Sequence, residues 1–481
     1  MPKADEGSYN RAYLMRDYVL VHINGVPHRI GGARAFQTVS RFLREDQRAT
    51  GTKIVCEEGD CGACTVLVGR RENGTLRYKA VNSCIQFMFQ LDCAHVVTVE
   101  GLTPTGELTP VQDAMIRCHG AQCGYCTPGF IMAMAGMCEE NATDARRALT
   151  GNLCRCTGYE SIINAAKEAV DQPKIDELYP GQSILEAINE VENEAVAFDH
   201  FAKPRDLQSA IAFKHANPDT VIVQGATDFG VWRTKRNFTP AAVLSLDGID
   251  GLSDISVEGD TLIAGGRVSL ARFESAIREL IPSMVEIMDR FGSPQIKNAG
   301  TLAGNIANAS PIADTLPFLF VTNASLELTG TSGARMVSIA DFYLGYKKLD
   351  LRPDEIITRI NIPLPRDGET LRLYKVSKRS HLDISTFTAA MLMRRNDGKV
   401  DSMRIAYGGV GPVVLRLTKT EEFLAGQPFK LETFTSAGEI AREEIAPITD
   451  VRGSREFRLQ LAENILCRFY YECAPGGASS T

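Results

Sequence analysis

The chain has 481 residues, 44% hydrophobic and 23% charged, with a formal net charge of −7. That length is too great for one hydrophobic core and predicts three or four domains. The 52 basic and 59 acidic residues lack the basic excess of a nucleic-acid binder. No uninterrupted apolar run is long enough to span a membrane. The N-terminal MPKADEGSYNRAY lacks the apolar core of a secretory signal. The expectation is a cytoplasmic protein, in which clustered cysteines are metal ligands rather than disulfides.

In chain order, residues 17–86 read as short β structure. The β-branched run from Asp17 to Ile23 meets a hairpin turn at Asn24-Gly25 and resumes at Val26–Ile30. A helical stretch follows near Val39–Asp46, then a cysteine loop, then strands near Thr65 and Leu76–Val81 around a second turn at Asn73-Gly74. Two hairpins, a helix and a cysteine loop fit a β-grasp ferredoxin domain. Residues 87–170 read as an all-helical module, with helices starting at Thr109-Pro110, running toward His119, and at Thr127-Pro128. Further helices are expected over 142–149 and 160–170. Residues 171–198, with Pro173, Pro180 and Gly181, read as a linker packed over the surface. Residues 199–370 read as an α+β domain with two glycine-rich loops, and 371–475 as a small α+β C-terminal domain. The fold class is therefore multidomain α+β.

Thirteen cysteines occur, and eight fall into two patterns. The first is Cys56-x4-Cys61-x2-Cys64 with a distant Cys84. This is the plant-type ferredoxin spacing, in which one tight loop wraps a 2Fe–2S cluster and a fourth thiolate closes it. Gly59, Gly62 and Ala63 keep that loop small. Zinc is the rival reading, though zinc sites usually come as paired C-x2-C knuckles. The second pattern is Cys123-x2-Cys126 with Cys154-x-Cys156. Cys154 and Cys156 are two apart and cannot share a helix face, so they belong to a loop. Each pair precedes a helix start, whose free N–H groups favour an anionic cluster. Alone, this set fits zinc or iron; after a ferredoxin-type set it points to a second cluster. Cys93, Cys118, Cys138, Cys467 and Cys473 have no partner spacing and read as structural thiols, as His119 reads as a structural histidine.

The loops Gln224–Gly230 and Asn298–Asn305 expose backbone N–H groups that can cradle a pyrophosphate. Neither matches the dinucleotide fingerprint G-x-G-x-x-G or the P-loop, so each alone is weak evidence.

The segments Glu57–Thr65, Gln122–Phe130 and Gly151–Tyr159 resemble the cluster motifs of the xanthine oxidase family of molybdenum hydroxylases. The two glycine-rich loops, with Ser310–Asp314 after the second, are similar to that family's FAD-binding domain. The domain order resembles the small subunits of bacterial members, in which clusters and flavin share a chain. The resemblance implies an electron-transfer subunit of an NAD-dependent xanthine dehydrogenase of purine catabolism, serving the conversion of hypoxanthine and xanthine to urate. It implies a molybdopterin-binding large subunit as partner, two of each in a heterotetramer, with no catalytic residue in this chain. Electrons would pass from the cluster of Cys123, Cys126, Cys154 and Cys156 to that of Cys56, Cys61, Cys64 and Cys84, then to FAD and NAD+. Gln122 and Cys156 would face the pterin. For FAD, the family pattern carries over to Ile222, Val223, Gln224, Gly225, Ala226, Thr227, Asp228 and Phe229 in the first loop. It carries over to Gly300, Thr301, Gly304, Asn305 and Asp314 in the second, and to Phe291, Ile357 and Lys375 elsewhere. Ala303 replaces a usual glycine, and Leu382 a residue that is polar in several relatives, which leaves NAD+ or oxygen as acceptor. Alternatives are the same architecture in an aldehyde or N-heterocycle hydroxylase, or a zinc-stapled interaction protein without catalysis.

Overall fold

The computed structural model describes residues 15–169, 172–179 and 181–474. The first domain is a five-stranded sheet in the order Val26–Ile30, Val19–Ile23, Ala94–Val97, Thr65–Glu72, Thr75–Asn82. Two antiparallel hairpins flank Ala94–Val97, which runs parallel to Val19–Ile23, giving the β-grasp arrangement. Both hairpins turn where Asn-Gly predicts. Asn24, Gly25, Asn73 and Gly74 all have positive φ, the turn geometry that matches strand twist. The helix Val39–Arg41 widens into a further turn to Asp46 and packs Val39, Phe42 and Leu43 on the sheet.

The helical module comprises Pro110–Arg117, Thr127–Glu139, Ala145–Ala148 and Glu160–Glu168. The Thr109 N–H donates to Gln112 Oε1 at 2.9 Å, part of a capping box ahead of Pro110. His119, expected on this helix, lies past its end with φ 53°. The Gly120 N–H reaches back to the Met115 carbonyl at 2.8 Å, the six-to-one bond of a helix stop. Phe130, Met132 and Met134 of the next helix pack with Leu67 and Tyr78 of the first sheet in one core. Burying each such side chain stabilises by about 1.5–3 kcal/mol, so the two cysteine-bearing units fold against each other.

The stretch expected as a linker carries the helices Ile175–Leu178 and Gly181–Val191 and the strand Ala195–Phe198. Ile175, Ile184 and Ile188 are buried in the same core. The acidic residues and Pro173 obscured the helical spacing of Ile184 and Ile188.

The third region opens with a sheet in the order Met15–Arg16, Ala195–Phe198, Phe201–Lys203, Ala242–Leu244, Thr220–Ile222, its last three strands parallel. An antiparallel sheet follows, in the order Ile255–Glu258, Thr261–Gly265, Ile356–Pro363, Ser325–Gly330, Gly333–Ser338. The C-terminal sheet runs Glu369–Val376, Phe387–Asn396, Lys399–Gly408, Leu415–Arg416. The helices Leu431–Glu443 and Arg455–Cys473 share its core. Apolar contact continues across the domains: Val223, Ala226 and Phe229 pack with Val66 and Val81 of the first sheet and with Phe87 in the connection between Thr75–Asn82 and Ala94–Val97. The Phe87 and Phe229 rings meet edge-on at 5.2 Å, worth about 0.5–1.5 kcal/mol beyond area burial. Among the described residues, no helix is long and apolar enough to cross a membrane.

Candidate cofactor sites

The loop from Cys56 to Cys64 curls because Glu57, Gly59 and Gly62 take positive φ. The curl brings Cys56 within hydrogen-bonding reach of Cys61 and Cys84, and Cys64 within reach of Cys84. Bonds from Cys61 and then Cys84 pull the Cys56 thiol well below its ordinary value; the bond from Cys84 lowers Cys64. Cys61 and Cys84 are raised in turn, through their bonds to Cys56. The Cys61 N–H also points at Cys56 Sγ, 3.5 Å away. Four cysteine sulfurs gathered in this way suit soft metal ligation. Cys64 and Cys84 are buried against Ile85, Val231 and Ile296, while Cys56 and Cys61 are half-buried.

In the second set, Cys126 leads into the helix Thr127–Glu139. Cys154 Sγ accepts from the N–H groups of Cys156 and Thr157, both at 3.4 Å, and lies 3.1 Å from the Thr157 hydroxyl. Burial raises the Cys154 thiol, but these donors outweigh it and the net shift is downward. Burial and the neighbouring Cys154 push Cys126 up to about 12. Cys156 is within hydrogen-bonding reach of Cys123, and both are exposed. Among the described residues no three His, Cys, Asp or Glu groups are placed around a single-ion point. A cluster that spreads four thiolates over two irons does not require one.

The two cysteine loops touch. The Leu153 N–H donates to the Cys61 carbonyl at 3.0 Å. Gly62 has φ 68°, and a Cβ there would collide with the Gly151 carbonyl, so both its conformation and its contact demand glycine.

The glycine-rich loops also meet. Ile222 ends its strand, and Val223 to Asp228 form the turn into the helix Phe229–Arg236. Ala226 holds φ 54°, a strained conformation of the kind found at ligand clamps. A Cβ on Gly225 would strike the Ala299 carbonyl and Gly300, while Gly300 faces the Thr227 hydroxyl. Thr301 caps the helix Leu302–Ala307, accepting from the Gly304 N–H at 3.0 Å. Asn305 accepts from the Thr315 hydroxyl. The Asp228 carboxylate accepts from Asn308 Nδ2 at 2.9 Å. Lys375 Nζ sits 2.7 Å from Asp314 Oδ2, a pair almost wholly buried and joined by the Ser385 hydroxyl. Burial pushes Asp314 up, opposed by Lys375 and Ser385. Phe291 and Ile357 belong to the adjoining apolar core rather than to these polar contacts. The turn at 224–228 thus packs its backbone against Ala299 and Gly300, next to the capped helix 302–307, and Lys375 also donates to the Asp383 carbonyl at 2.9 Å.

Sequence reasoning missed the side chains that tie these parts together. Gln86, two residues after Cys84, donates to the Gly225 carbonyl at 2.8 Å, and Gln90 donates to the Gln224 carbonyl. Arg267 Nε donates to Gln224 Oε1 at 3.1 Å, and Arg267 also pairs with Asp247. A pair of glutamines at i and i+4 shortly after Cys84 was the available signal. Burial pushes Cys93 up to about 12 and Cys138 up to about 11, marks of inert thiols.

Three family patterns match the chain. They are a 2Fe–2S binding domain at 98–167, the FAD binding domain in molybdopterin dehydrogenase at 195–365, and the CO dehydrogenase flavoprotein C-terminal domain at 372–473. Xanthine dehydrogenase of Oryza sativa subsp. japonica is 27% identical over 98% of this chain and 40% of its own length. Aldehyde oxidase 1 of Bos taurus is 29% identical over 90% of this chain and 37% of its own length. The chain thus spans about two fifths of these relatives. Quinoline 2-oxidoreductase from Pseudomonas putida 86 superposes with a TM-score of 0.54 at 26% identity, over 58% of this chain and 98% of that one. The chain carries the 2Fe–2S and FAD domains of the molybdenum hydroxylase family.

Proposed function

We propose that the chain is the electron-transfer subunit of a xanthine dehydrogenase. It takes electrons from the molybdenum centre of a molybdopterin-binding partner and delivers them to NAD+ during oxidation of hypoxanthine and xanthine. When bound, the two clusters supply single-electron transfer and FAD pairs the electrons for the acceptor. Cys123, Cys126, Cys154 and Cys156 hold the outer cluster, where exposed Cys123 and Cys156 face the partner. Cys56, Cys61, Cys64 and Cys84 hold the inner one. The turn 222–229, Gly300, Thr301, Gly304 and Asn305 cradle the FAD phosphates, and Asp314 and Lys375 lie at the ring. Phe291 lies near the adenine, and Ile357 lies beside the flavin. The observation that carries this reading is contiguity. The second cysteine loop hydrogen-bonds the first at Leu153–Cys61, and the segment after Cys84 hydrogen-bonds the flavin loop at Gln86–Gly225. A cytoplasmic heterotetramer with two of each subunit completes the proposal.

A second reading keeps this role but serves an aldehyde or N-heterocycle hydroxylase, with oxygen as a possible acceptor. The aldehyde oxidase and quinoline oxidoreductase similarities favour it equally. The test is purification of the native complex, analysis for molybdenum, flavin and pterin, and assay with xanthine, an aldehyde and quinoline against NAD+ and oxygen. Xanthine-dependent NAD+ reduction supports the first reading, and turnover of only the other substrates supports the second. An active, fully assembled complex without molybdenum contradicts both.

A further inference from the structure

Three polar side chains meet where the two cysteine loops touch the flavin domain. Gln295, on the helix Pro294–Ala299, is 1% exposed. Its Nε2 donates to Asn152 Oδ1 at 2.8 Å and to Thr65 Oγ1 at 3.3 Å. Asn152 Nδ2 donates onward to the Gly62 carbonyl at 3.0 Å. The Thr65 hydroxyl and N–H donate to that same carbonyl, at 2.6 and 3.0 Å. Gly62 lies between Cys61 and Cys64, Thr65 follows Cys64, and Asn152 stands two residues before Cys154. One amide of the flavin domain therefore holds residues beside both ligand sets.

The chemistry at this junction is specific. Asn152 Nδ2 donates to the Gly62 carbonyl and, at 3.5 Å, to Thr65 Oγ1, and the Thr65 hydroxyl hydrogen points to Gly62, so Asn152 Oδ1 and Thr65 Oγ1 face Gln295 as acceptors. The Gln295 amide supplies an N–H to each, and the shorter bond, to Asn152 Oδ1, is that oxygen's side-chain donor. A buried acceptor left without a donor costs about 1–3 kcal/mol. Packing adds a second constraint: a Cβ on Gly151 would strike Gln295 Oε1, and one on Gly129 would strike the Gly62 carbonyl.

We propose that Gln295 is a positioning residue: its two donors fix the first cysteine loop against the second and so set the geometry of both clusters. This rests on reading the two sets as cluster ligands. Loop position governs the N–H groups aimed at the sulfurs, and hydrogen bonds to sulfur tune cluster potential. Packing alone makes Gln295→Met, uncharged and of similar volume, nearly silent. The donor role makes it disruptive, because the buried acceptors lose their N–H partner, and Gln295→Glu adds a buried charge facing those acceptors.

The experiment reconstitutes the full chain with iron, sulfide and FAD and titrates the dithionite-reducible electron paramagnetic resonance signals of wild type, Gln295→Glu and Gln295→Met. Wild type gives two cluster signals. Both variants shift the midpoint potentials and line shapes of the two cluster signals, while FAD content stays unchanged. Should Gln295→Glu fail to fold, Gln295→Met, uncharged and of similar volume, carries the same expectation. Wild-type signals with unaltered potentials and line shapes in the variants overturn the inference alone. A wild-type chain without iron–sulfur signals overturns the cluster reading as well.

Discussion

The Gln86 side-chain amide donates to the Gly225 carbonyl at 2.8 Å, so a residue two positions from Cys84 holds the turn proposed to cradle FAD. Gln86 is 6% exposed and Gly225 is half-buried. In Gln86→Leu the carbonyl loses this donor, at a cost of about 1–3 kcal/mol. FAD affinity should then fall roughly tenfold, since about 1.4 kcal/mol is a factor of ten. Fluorescence titration of the flavin-free chain measures it, and iron content should be unchanged.

Gly225→Ala separates the flavin from the clusters. The added Cβ would collide with the Ala299 carbonyl and with Gly300, so the two loops must part. The expected product retains iron–sulfur absorbance and loses bound FAD on gel filtration. Wild-type flavin content in this variant contradicts the placement of the phosphates between those loops.

Much of the fold was legible because it is written locally. Asn24-Gly25 and Asn73-Gly74 mark hairpins through residues that tolerate positive φ. Thr109-Pro110 marks a helix start through a cap. The Cys56–Cys64 spacing reports a loop that must bend around its ligand. The contacts made by Gln86, Asn152 and Gln295 were not legible, because each joins segments far apart in sequence and a lone amide has no periodicity. The segment 171–198 misled for a related reason. Its helix Gly181–Val191 is held by Ile184 and Ile188 reaching a core built by other domains.

His95 should make the first domain sensitive to mild acid. The Gly25 N–H donates to His95 Nε2 at 3.0 Å, and Nδ1 lies 2.7 Å from the Tyr78 hydroxyl. Burial, aided by His22, holds its pKa down at about 3, so the folded chain keeps it neutral. The unfolded chain protonates near pH 6.5. Stability is therefore full above that value and lost as pH falls toward 3, by up to about 1.4 kcal/mol per pH unit. Burial lowers His22 and His28 in the same sense. Denaturant unfolding between pH 7 and pH 5 should show a shallower decline in His95→Gln than in wild type.

Lys375→Met leaves the Asp314 carboxylate buried beside Ser385 without its cation. Breaking one side of a buried ion pair costs about 3–5 kcal/mol. Thermal unfolding should show a clear drop in Tm, and adding Asp314→Asn should recover part of it. Additive losses in the double variant contradict a direct pairing.

The central claim is that two separate cysteine sets form one electron path to the flavin. Electron paramagnetic resonance of the dithionite-reduced chain, wild type against Cys156→Ser, tests it most directly. The account predicts two 2Fe–2S signals in the wild type and selective loss of one in Cys156→Ser, with FAD still bound. A colourless wild-type chain holding zinc and no acid-labile sulfide would contradict it.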